Sequence, residues 1–492
     1  MPNNQVQFSL DGVSESKSTN ISLDVYSCHF TNCKNIYPLK IVRPLKRKST
    51  NNRDILDTVV DDVQEANLVI EDVIADNPKR AIIREAKNHA SNYSCEYCHT
   101  KGTQFKNNVA GAKKQCHVVW PASSKQPENE RQLHNILDIV ELIQMKQNGE
   151  YVYPLSPDHL QGFVGRSRFL DLDDFDFIHS IPTEYMHSLC LGLMKRLIEL
   201  TFDIGEKRIR VTTRKLSSPN MYNNFMRHVK VPREFSRRAR QLDFGVLKAQ
   251  EFRNILLFFF PLILQCIQNE ARERRLWLLL VYMIRACIVP DPEFVQINPM
   301  SIDTACQKFY VLFEQLFGIR NCTYSLHVIC SHLLKMRQKG PLTFTSAFIF
   351  ENFYGELRNS FVPGTPSPVK QMMETVILKR SLSHHCCQNT IFFSHKNTAL
   401  ECNNLIYTFE NNSHLCYKIA DVHDHVLYCY RLGKFPLHFP ELVGFNWALV
   451  GIYKQGALGN DLVEIRKRHV AGKLLLINGI ILTCPNNILR EK

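Results

Sequence analysis

The sequence contains no apolar stretch of the roughly 20 residues that a membrane-spanning helix needs. The two longest candidates are Ile255–Leu264, which contains Pro261, and Leu276–Val289, which is interrupted by Arg285. Both are short enough to be helices of a protein core. We therefore expect them to form a buried helical pair, and we expect no membrane partner.

A signal-peptide pattern at the N-terminus, internal repeats and low-complexity segments are also missing from the sequence. The 17 cysteines are odd in number and scattered through 492 residues. This usage is typical of a reducing compartment, in which cysteines serve as thiols or metal ligands and not as a disulfide framework. An apolar content of 45% indicates a folded chain, and its length allows two or three domains.

Acidic residues are outnumbered by basic ones. The chain has 47 Asp and Glu against 60 Lys and Arg, which gives a net charge of +13. A surplus of this size favours a polyanionic partner, with nucleic acid ahead of an anionic membrane surface.

The first 90 residues have the pattern of a mixed sheet with two helices. Three strands, a helix, a strand and a helix are expected, so the order is β-β-β-α-β-α and the fold class is α/β. The six segments are Val6–Gly12, Leu23–Phe30, Tyr37–Val42, Asp54–Ala66, Leu68–Ala75 and Lys79–His89.

Two aspartates end strands of this pattern: Asp11 ends the first and Asp76 ends the fourth. Asp11 has the strand parity of Ser9, on the face opposite Leu10. If the two strands pair in parallel, both carboxylates emerge at one edge of the sheet, where they need a cation to offset their repulsion. Hard divalent ions such as Mg²⁺ take oxygen ligands, and a third carboxylate would complete such a site. Turn chemistry is the competing role for each aspartate.

A candidate third carboxylate is Glu351, within the segment Phe348–Leu357. The apolar residues of this segment recur at i, i+3, i+4 and i+7 from Phe350, which is the stripe of an amphipathic helix. Glu351 lies at the edge of the stripe, where packed aromatic residues can aim it into a site. A surface glutamate with no such role is the competing interpretation.

Cysteine and histidine pairs stand far apart in the sequence. Cys95 and Cys98 form a C-x-x-C, which is half a zinc site; a redox role is the alternative, although no matching βαβ context surrounds it. His327 and His332 are about 140° apart on a regular helix, so a shared metal requires the helix to end or bend between them. Together the two pairs offer the Cys2His2 donor set that zinc prefers. Glu184 and His187 are one helical turn apart, with a capping or core histidine as the competing interpretation.

Residues 131 to about 335 are predicted to be mainly helical, and residues from about 400 onward to form short strands. The predicted strands are Leu405–Phe409, Leu427–Tyr430, Trp447–Ile452, Leu462–Ile465 and Leu474–Thr483.

Several motifs occur in order across residues 6–385: FSLDGV, ADNPKRA, CEYC, IPTEYMHSLCLGLMKRL, HVICSHL and FIFENFYGELRNSF. In this combination the chain resembles DDE/D transposases of the CACTA-related type, which have an RNase H-like fold with a large helical insertion. The resemblance implies cut-and-paste transposition by metal-dependent DNA strand cleavage and strand transfer. It also implies transposon ends and target DNA as partners, a homo-oligomer and a nuclear location.

The resemblance assigns roles residue by residue. Asp11, Asp76 and Glu351 match the three catalytic carboxylates, which hold Mg²⁺ or Mn²⁺. The Cys95/Cys98 and His327/His332 pairs are similar to the zinc-binding pairs in the catalytic core of the V(D)J recombinase, which implies a structural Zn²⁺. Glu184 and His187 resemble the accessory (C/D)-x-x-H element, with Glu in place of Asp or Cys.

One departure leaves a second hypothesis open. Only ten residues precede Asp11, whereas transposases carry a DNA-end-binding module upstream. We therefore expect either a truncated catalytic core or a catalytically inactive, transposon-derived DNA- or protein-binding factor; a zinc-organised helical scaffold is a third, more remote reading. The expected domains are the first part of the core at 1–92, the zinc-linked helical insertion at 93–340, the last part of the core at 341–395 and a small β-rich module at 396–492.

Overall fold

The structure of the protein is a computed structural model. It describes residues 5–14, 22–30, 36–42, 50–106, 116–124, 130–151, 153–202, 219–229, 247–267, 270–288, 299–360, 369–376, 404–410, 413–423, 426–437, 452–477 and 480–485, with the short pieces 204, 235, 240–242, 439 and 442. The chain divides into two compact units, residues 1–187 with 345–392 and residues 188–344 with 393–492.

The first unit contains a four-stranded mixed sheet in the order β3-β2-β1-β4. Strand β1 pairs antiparallel with β2 and parallel with β4, and the predicted order β-β-β-α-β-α is found. The elements are β1 (Gln5–Ser14), β2 (Ser22–Phe30), β3 (Ile36–Val42), α1 (Thr50–Glu65), β4 (Val69–Ala75) and α2 (Asn77–Ile83).

Alternation in β1 explains how the sheet acquires its core. Val6, Phe8 and Leu10 are buried on one face of the strand, as their spacing of two residues requires. Helix α1 buries Val59 and Val63, which lie one turn apart on its apolar face. The chain is therefore mixed α/β in this unit.

Helix α2 corrects the sequence prediction, which placed it at Lys79–His89. The helix begins at Asn77 and ends at Ile83, because Glu85 takes a positive φ of 50° and Ala86 forms an isolated antiparallel bridge with Phe163. A left-handed residue cannot continue an α-helix.

Between α2 and residue 160, the first unit contains a β-hairpin and two α-helices. The hairpin lies within the polar residues 101–130. The elements are β5 (Thr103–Lys106), β6 (Cys116–Val119), α3 (Leu133–Gln147) and α4 (Pro157–Leu160).

Helices dominate residues 186–336, as predicted. Two stretches, Met186–Met194 and Ile255–Phe259, are π-helical. The α-helices are α5 (Lys195–Phe202), α6 (Pro219–His228), α7 (Ala249–Asn254), α8 (Phe260–Cys266), α9 (Ala271–Ile288), α10 (Pro299–Phe317) and α11 (Tyr324–Met336).

The two apolar stretches singled out in the sequence, Ile255–Leu264 and the described part of Leu276–Val289, are buried in the second unit, as expected. Arg285, which interrupts the second of them, is 5% exposed. Its guanidinium donates to the Leu257 carbonyl at 2.9 Å and to the Thr483 carbonyl at 2.9 Å, so its buried N–H groups are paired. Among the described residues, no helix is long and apolar enough to cross a membrane.

Helix α12 (Phe348–Asn359) belongs to the first unit and packs against β1. The predicted apolar stripe is confirmed, because Phe350, Phe353, Tyr354 and Leu357 are buried. Residues 369–376 are also helical.

The C-terminal β-rich module is a closed six-stranded barrel in the order β10-β12-β11-β7-β8-β9. The strands are β7 (Leu405–Glu410), β8 (Ser413–Val422), β9 (Val426–Pro436), β10 (Ile452–Arg466), β11 (Gly472–Ile477) and β12 (Ile480–Pro485). Ile406, Ile419, Leu427 and Cys429 form part of its core.

Two strand predictions in the barrel need correction, and one strand was missed. The predicted strand Leu474–Thr483 is the hairpin of β11 and β12, in which Ile477 pairs with Ile480. Strand β8 was not predicted, and the predicted strand Leu462–Ile465 is the end of the much longer β10. Of Trp447–Ile452, only Ile452 lies within the described residues.

Candidate functional site

The parallel pair of β1 and β4 brings two candidate ligands to one sheet edge. Leu10 pairs with Ala75, so Asp11 and Asp76 each follow directly after this pair. Asp11 remains within β1, where its backbone pairs with Val25 of β2. The backbones of the two aspartates are therefore neighbours, as the sequence predicted for a parallel pairing.

Asp76 occupies the N-cap of α2. Its backbone is extended, with φ −68° and ψ 168°, and its Oδ1 accepts a hydrogen bond from Lys79 N at 2.9 Å. Pro78, in the first turn, has the fixed φ that a helix start requires. The capping role weighed in the sequence is thus present. A carboxylate has about four lone-pair sites on two oxygens, so one capping bond leaves it able to bind a cation.

Helix α12 is held on the sheet by a hydroxyl cluster. The Tyr354 hydroxyl lies 2.8 Å from Ser9 Oγ and 3.2 Å from Ser27 Oγ, on β1 and β2. Ser9 precedes Asp11 by two residues along the strand, and Glu351 precedes Tyr354 by one helical turn. Glu351 is therefore carried by a helix that is docked beside the first aspartate.

Glu351 has a titratable neighbour in His187. Nε2 of His187 lies 3.7 Å from Glu351 Oε1, and Nδ1 of the same ring donates to Glu184 Oε1 at 2.6 Å. The side chain of Glu351 is 39% exposed, whereas that of Glu184 is fully buried. The imidazole thus lies between a buried carboxylate that orients it and a solvent-accessible one.

Glu184 is a buried hub of hydrogen bonds. Besides the imidazole, it accepts from Met186 N and His187 N, both at 2.7 Å, and from Ala347 N at 3.4 Å, just before α12. Burial pushes the pKa of Glu184 upward, but the charge and hydrogen bonds of His187 outweigh burial and hold the pKa below its ordinary value. The predicted pairing of Glu184 with His187 is therefore present.

Glu96, between Cys95 and Cys98, was not among the candidate site residues identified in the sequence. This carboxylate is buried and accepts from Arg80 Nε at 2.8 and 3.1 Å on its two oxygens. Arg80 is fully buried in α2, and its NH1 donates to the Ala75 carbonyl at 2.8 Å. Burial pushes the pKa of Glu96 upward, but nearby guanidinium charges hold it below its ordinary value.

Thr183 was missed as well. Its Oγ1 donates to Glu96 Oε2 at 2.7 Å, and its backbone N donates to the Tyr97 hydroxyl at 2.9 Å. Thr183 therefore contacts both residues between the cysteines and is joined by a peptide bond to Glu184. The signal in the sequence was the acidic residue inside the C-x-x-C together with a basic residue in the first turns after Asp76.

Cys95, Cys98, His327 and His332 are all buried, and their candidate ligand atoms lie within 4.8 Å of one another. The four residues that the sequence grouped by donor type are thus brought together. His332 has a non-helical backbone, with φ −130° and ψ 15°, and the two imidazole centroids are 5.2 Å apart. This is the bend that a shared ligand set needed, because a regular helix would direct the rings about 140° apart.

The donor set can be tested against zinc. Tetrahedral Zn²⁺ with bonds of about 2.0–2.3 Å separates its ligand atoms by roughly 3.3–3.8 Å, which is compatible with the spacing of this group. Burial raises the pKa of the Cys95 thiol, and neighbouring Cys98 raises it further. A buried thiol with a raised pKa is a poor nucleophile, whereas a bound cation would stabilise both cysteines as thiolates, so this group fits a metal better than a reactive cysteine.

Comparison with known protein families and with curated proteins finds no match for this chain.

Proposed function

We propose that this chain is a DNA transposase catalytic core with an RNase H-like fold, which carries out metal-dependent strand cleavage and strand transfer. Its substrates would be transposon ends and target DNA, its location the nucleus and its working form a homo-oligomer. The observation that supports this most is the Leu10–Ala75 pair, which makes the backbones of Asp11 and Asp76 neighbours, while α12 returns Glu351 to the same strand. The net charge of +13 suits a DNA substrate.

In this proposal Asp11, Asp76 and Glu351 hold Mg²⁺ or Mn²⁺. When bound, such ions activate a water or a 3′-hydroxyl and stabilise the leaving oxygen of a phosphodiester. The protein's own contribution is placement. The capping bond of Asp76 fixes one of its oxygens, and Glu184 orients the His187 ring against Glu351.

We further propose that Cys95, Cys98, His327 and His332 hold a structural Zn²⁺. All four positions are taken by protein donors, which is the arrangement of a closed, non-catalytic zinc site. Such a site would contribute to folding and not to the chemistry.

An inactive DNA- or protein-binding factor is the second candidate. It is favoured by the capping bond of Asp76, because that bond gives the aspartate a sufficient role in the fold. Basic side chains would still bind phosphate in such a protein, with affinity that falls as salt rises. The two candidates therefore differ in cleavage and not in DNA binding.

Nicking of supercoiled plasmid DNA by the full chain, with Mg²⁺ or Mn²⁺ and with excess EDTA, separates the two. The catalytic proposal predicts metal-dependent nicking that Asp76→Asn and Glu351→Gln each reduce by at least about 100-fold, with retained binding to labelled duplex DNA. Glu356→Gln, an exposed position on the same helix, is the control and should nick normally. Binding without metal-dependent nicking would favour the second candidate.

A further inference from the structure

We propose that Glu96 is a positioning residue that holds Asp76 and Glu351 in their places, through Arg80 on one side and Thr183 on the other. The inference rests on the proposed function, because it takes both acidic residues as ligands of a divalent cation. It assigns a role in the carboxylate site to the short segment between Cys95 and Cys98.

The first arm runs from Glu96 to the end of β4. Arg80 binds both Glu96 oxygens through Nε and reaches the Ala75 carbonyl through NH1, at 2.8 Å. Ala75 is the last residue of β4 and Asp76 is the next residue along the chain. Arg80 lies one helical turn after Asp76 in α2. Its hydrogen bond to the Ala75 carbonyl therefore links α2 to the end of β4, on either side of Asp76.

The second arm runs from Glu96 to α12. Thr183 donates its hydroxyl to Glu96 at 2.7 Å, and the following residue, Glu184, accepts from His187 Nδ1 at 2.6 Å. The other ring nitrogen of His187 lies 3.7 Å from Glu351. Hydrogen bonds and ion pairs, together with the peptide links Ala75–Asp76 and Thr183–Glu184, thus join the second candidate ligand to the third.

Charge explains why a glutamate is needed at this position. Arg80 is fully buried, and its guanidinium binds both carboxylate oxygens of Glu96. A neutral residue would leave buried cationic charge without its anion, and the guanidinium would lose the partner that orients it. A plain structural ion pair would have the same effect on folding, so the test must measure the metal site itself.

The experiment is a titration of the full chain with Mn²⁺ alone, followed by electron paramagnetic resonance of free Mn²⁺. Glu96→Gln should weaken Mn²⁺ binding by about 10- to 100-fold, the range for a residue that orients a metal ligand. Glu251→Gln is the matched control, because Glu251 is a buried glutamate paired with Arg240 in the other unit. This control should bind Mn²⁺ within about twofold of wild type.

A second variant covers the case in which Glu96→Gln does not fold. Thr183→Val removes one hydroxyl donor at nearly constant volume, and it should weaken Mn²⁺ binding by roughly threefold to tenfold. Thermal unfolding checks that each variant is folded. Unchanged Mn²⁺ affinity in folded Glu96→Gln, or an equal loss in Glu251→Gln, would overturn the inference.

Asp76→Asn separates this inference from the proposed function. If Asp76→Asn leaves Mn²⁺ binding unchanged, the carboxylate site itself is wrong, and the positioning role falls with it. If Asp76→Asn weakens binding while folded Glu96→Gln and Thr183→Val do not, the carboxylate site stands and the positioning role alone is refuted.

Discussion

The hydroxyl of Tyr354 lies 2.8 Å from Ser9 Oγ, although 345 positions separate the two residues along the chain. Ser9 belongs to the first strand, and Tyr354 belongs to helix α12, which follows the long helical stretch in the sequence. Helix α12 therefore packs against the first strand, and Glu351 lies on this helix. This packing is the structural basis on which three distant acidic residues can be proposed to share a site.

Tyr354→Phe should destabilise the docking of α12. The change removes a hydroxyl that contacts Ser9 and Ser27 and leaves both serine hydroxyls without this partner. We expect a loss of about 1–2 kcal/mol in the free energy of unfolding, measured by urea denaturation. Tyr153→Phe, at a residue that is 73% exposed, should change it by less than about 0.5 kcal/mol. Equal stability of Tyr354→Phe and wild type would mean that the cluster does not hold the helix.

Much of the first unit could be predicted from the sequence because its signals are local. The alternation of apolar and polar residues predicted β1. A parallel pairing of β1 with β4 then predicted that Asp11 and Asp76 follow neighbouring strand positions, as the register shows. The i, i+3, i+4, i+7 spacing identified α12 and its buried face. Helical geometry also indicated that a metal shared by His327 and His332 would require the helix to end or bend between them, and the backbone is non-helical at His332.

The missed features depend on contacts between residues far apart in sequence. In the sequence nothing distinguishes Glu96 from a surface polar residue, because its partners Arg80 and Thr183 are identified only by the fold. The early end of α2 follows from the positive φ of Glu85, a conformation that local propensity does not predict for glutamate. The hairpin of β11 and β12 could have been predicted from local sequence, because Asn478-Gly479 is a typical hairpin turn sequence. The predicted strand Leu474–Thr483 ignored this signal.

Zinc content tests the buried Cys2His2 group. Elemental analysis of protein purified without chelator should find about one equivalent of Zn²⁺, and Cys98→Ser should lose most of it and lower the thermal stability, because structural zinc contributes to folding. Cys266→Ser is the control, since Cys266 is outside the group, and it should keep its zinc. Less than about half an equivalent in wild-type protein would refute the zinc proposal.

Acid should weaken the fold around Glu184. Its pKa is held below the ordinary 4.5, so the ionised carboxylate contributes stability that is fully present above pH 4.5. That contribution is lost as the pH falls through the folded-state pKa, because the unfolded chain then binds more protons. As the pH falls below 4.5, wild-type protein should lose stability in urea more steeply than Glu184→Gln.

At neutral pH the same substitution should cost about 1–3 kcal/mol, since it weakens buried, charge-assisted hydrogen bonds. The difference between the two proteins should therefore shrink on acidification. Glu356→Gln serves as the exposed control and should follow the wild-type pH profile. A constant difference across this pH range would show that the charge of Glu184 is not what stabilises the site.

The central claim is that Asp11, Asp76 and Glu351 bind the same metal ions. Anomalous diffraction from crystals of the full chain grown with Mn²⁺ tests it most directly, because manganese is located independently of the protein atoms. The account predicts manganese within about 2.0–2.4 Å of a carboxylate oxygen from each of the three residues, as one ion or a close pair. Manganese bound elsewhere, or carboxylates too far apart to share an ion, would contradict it.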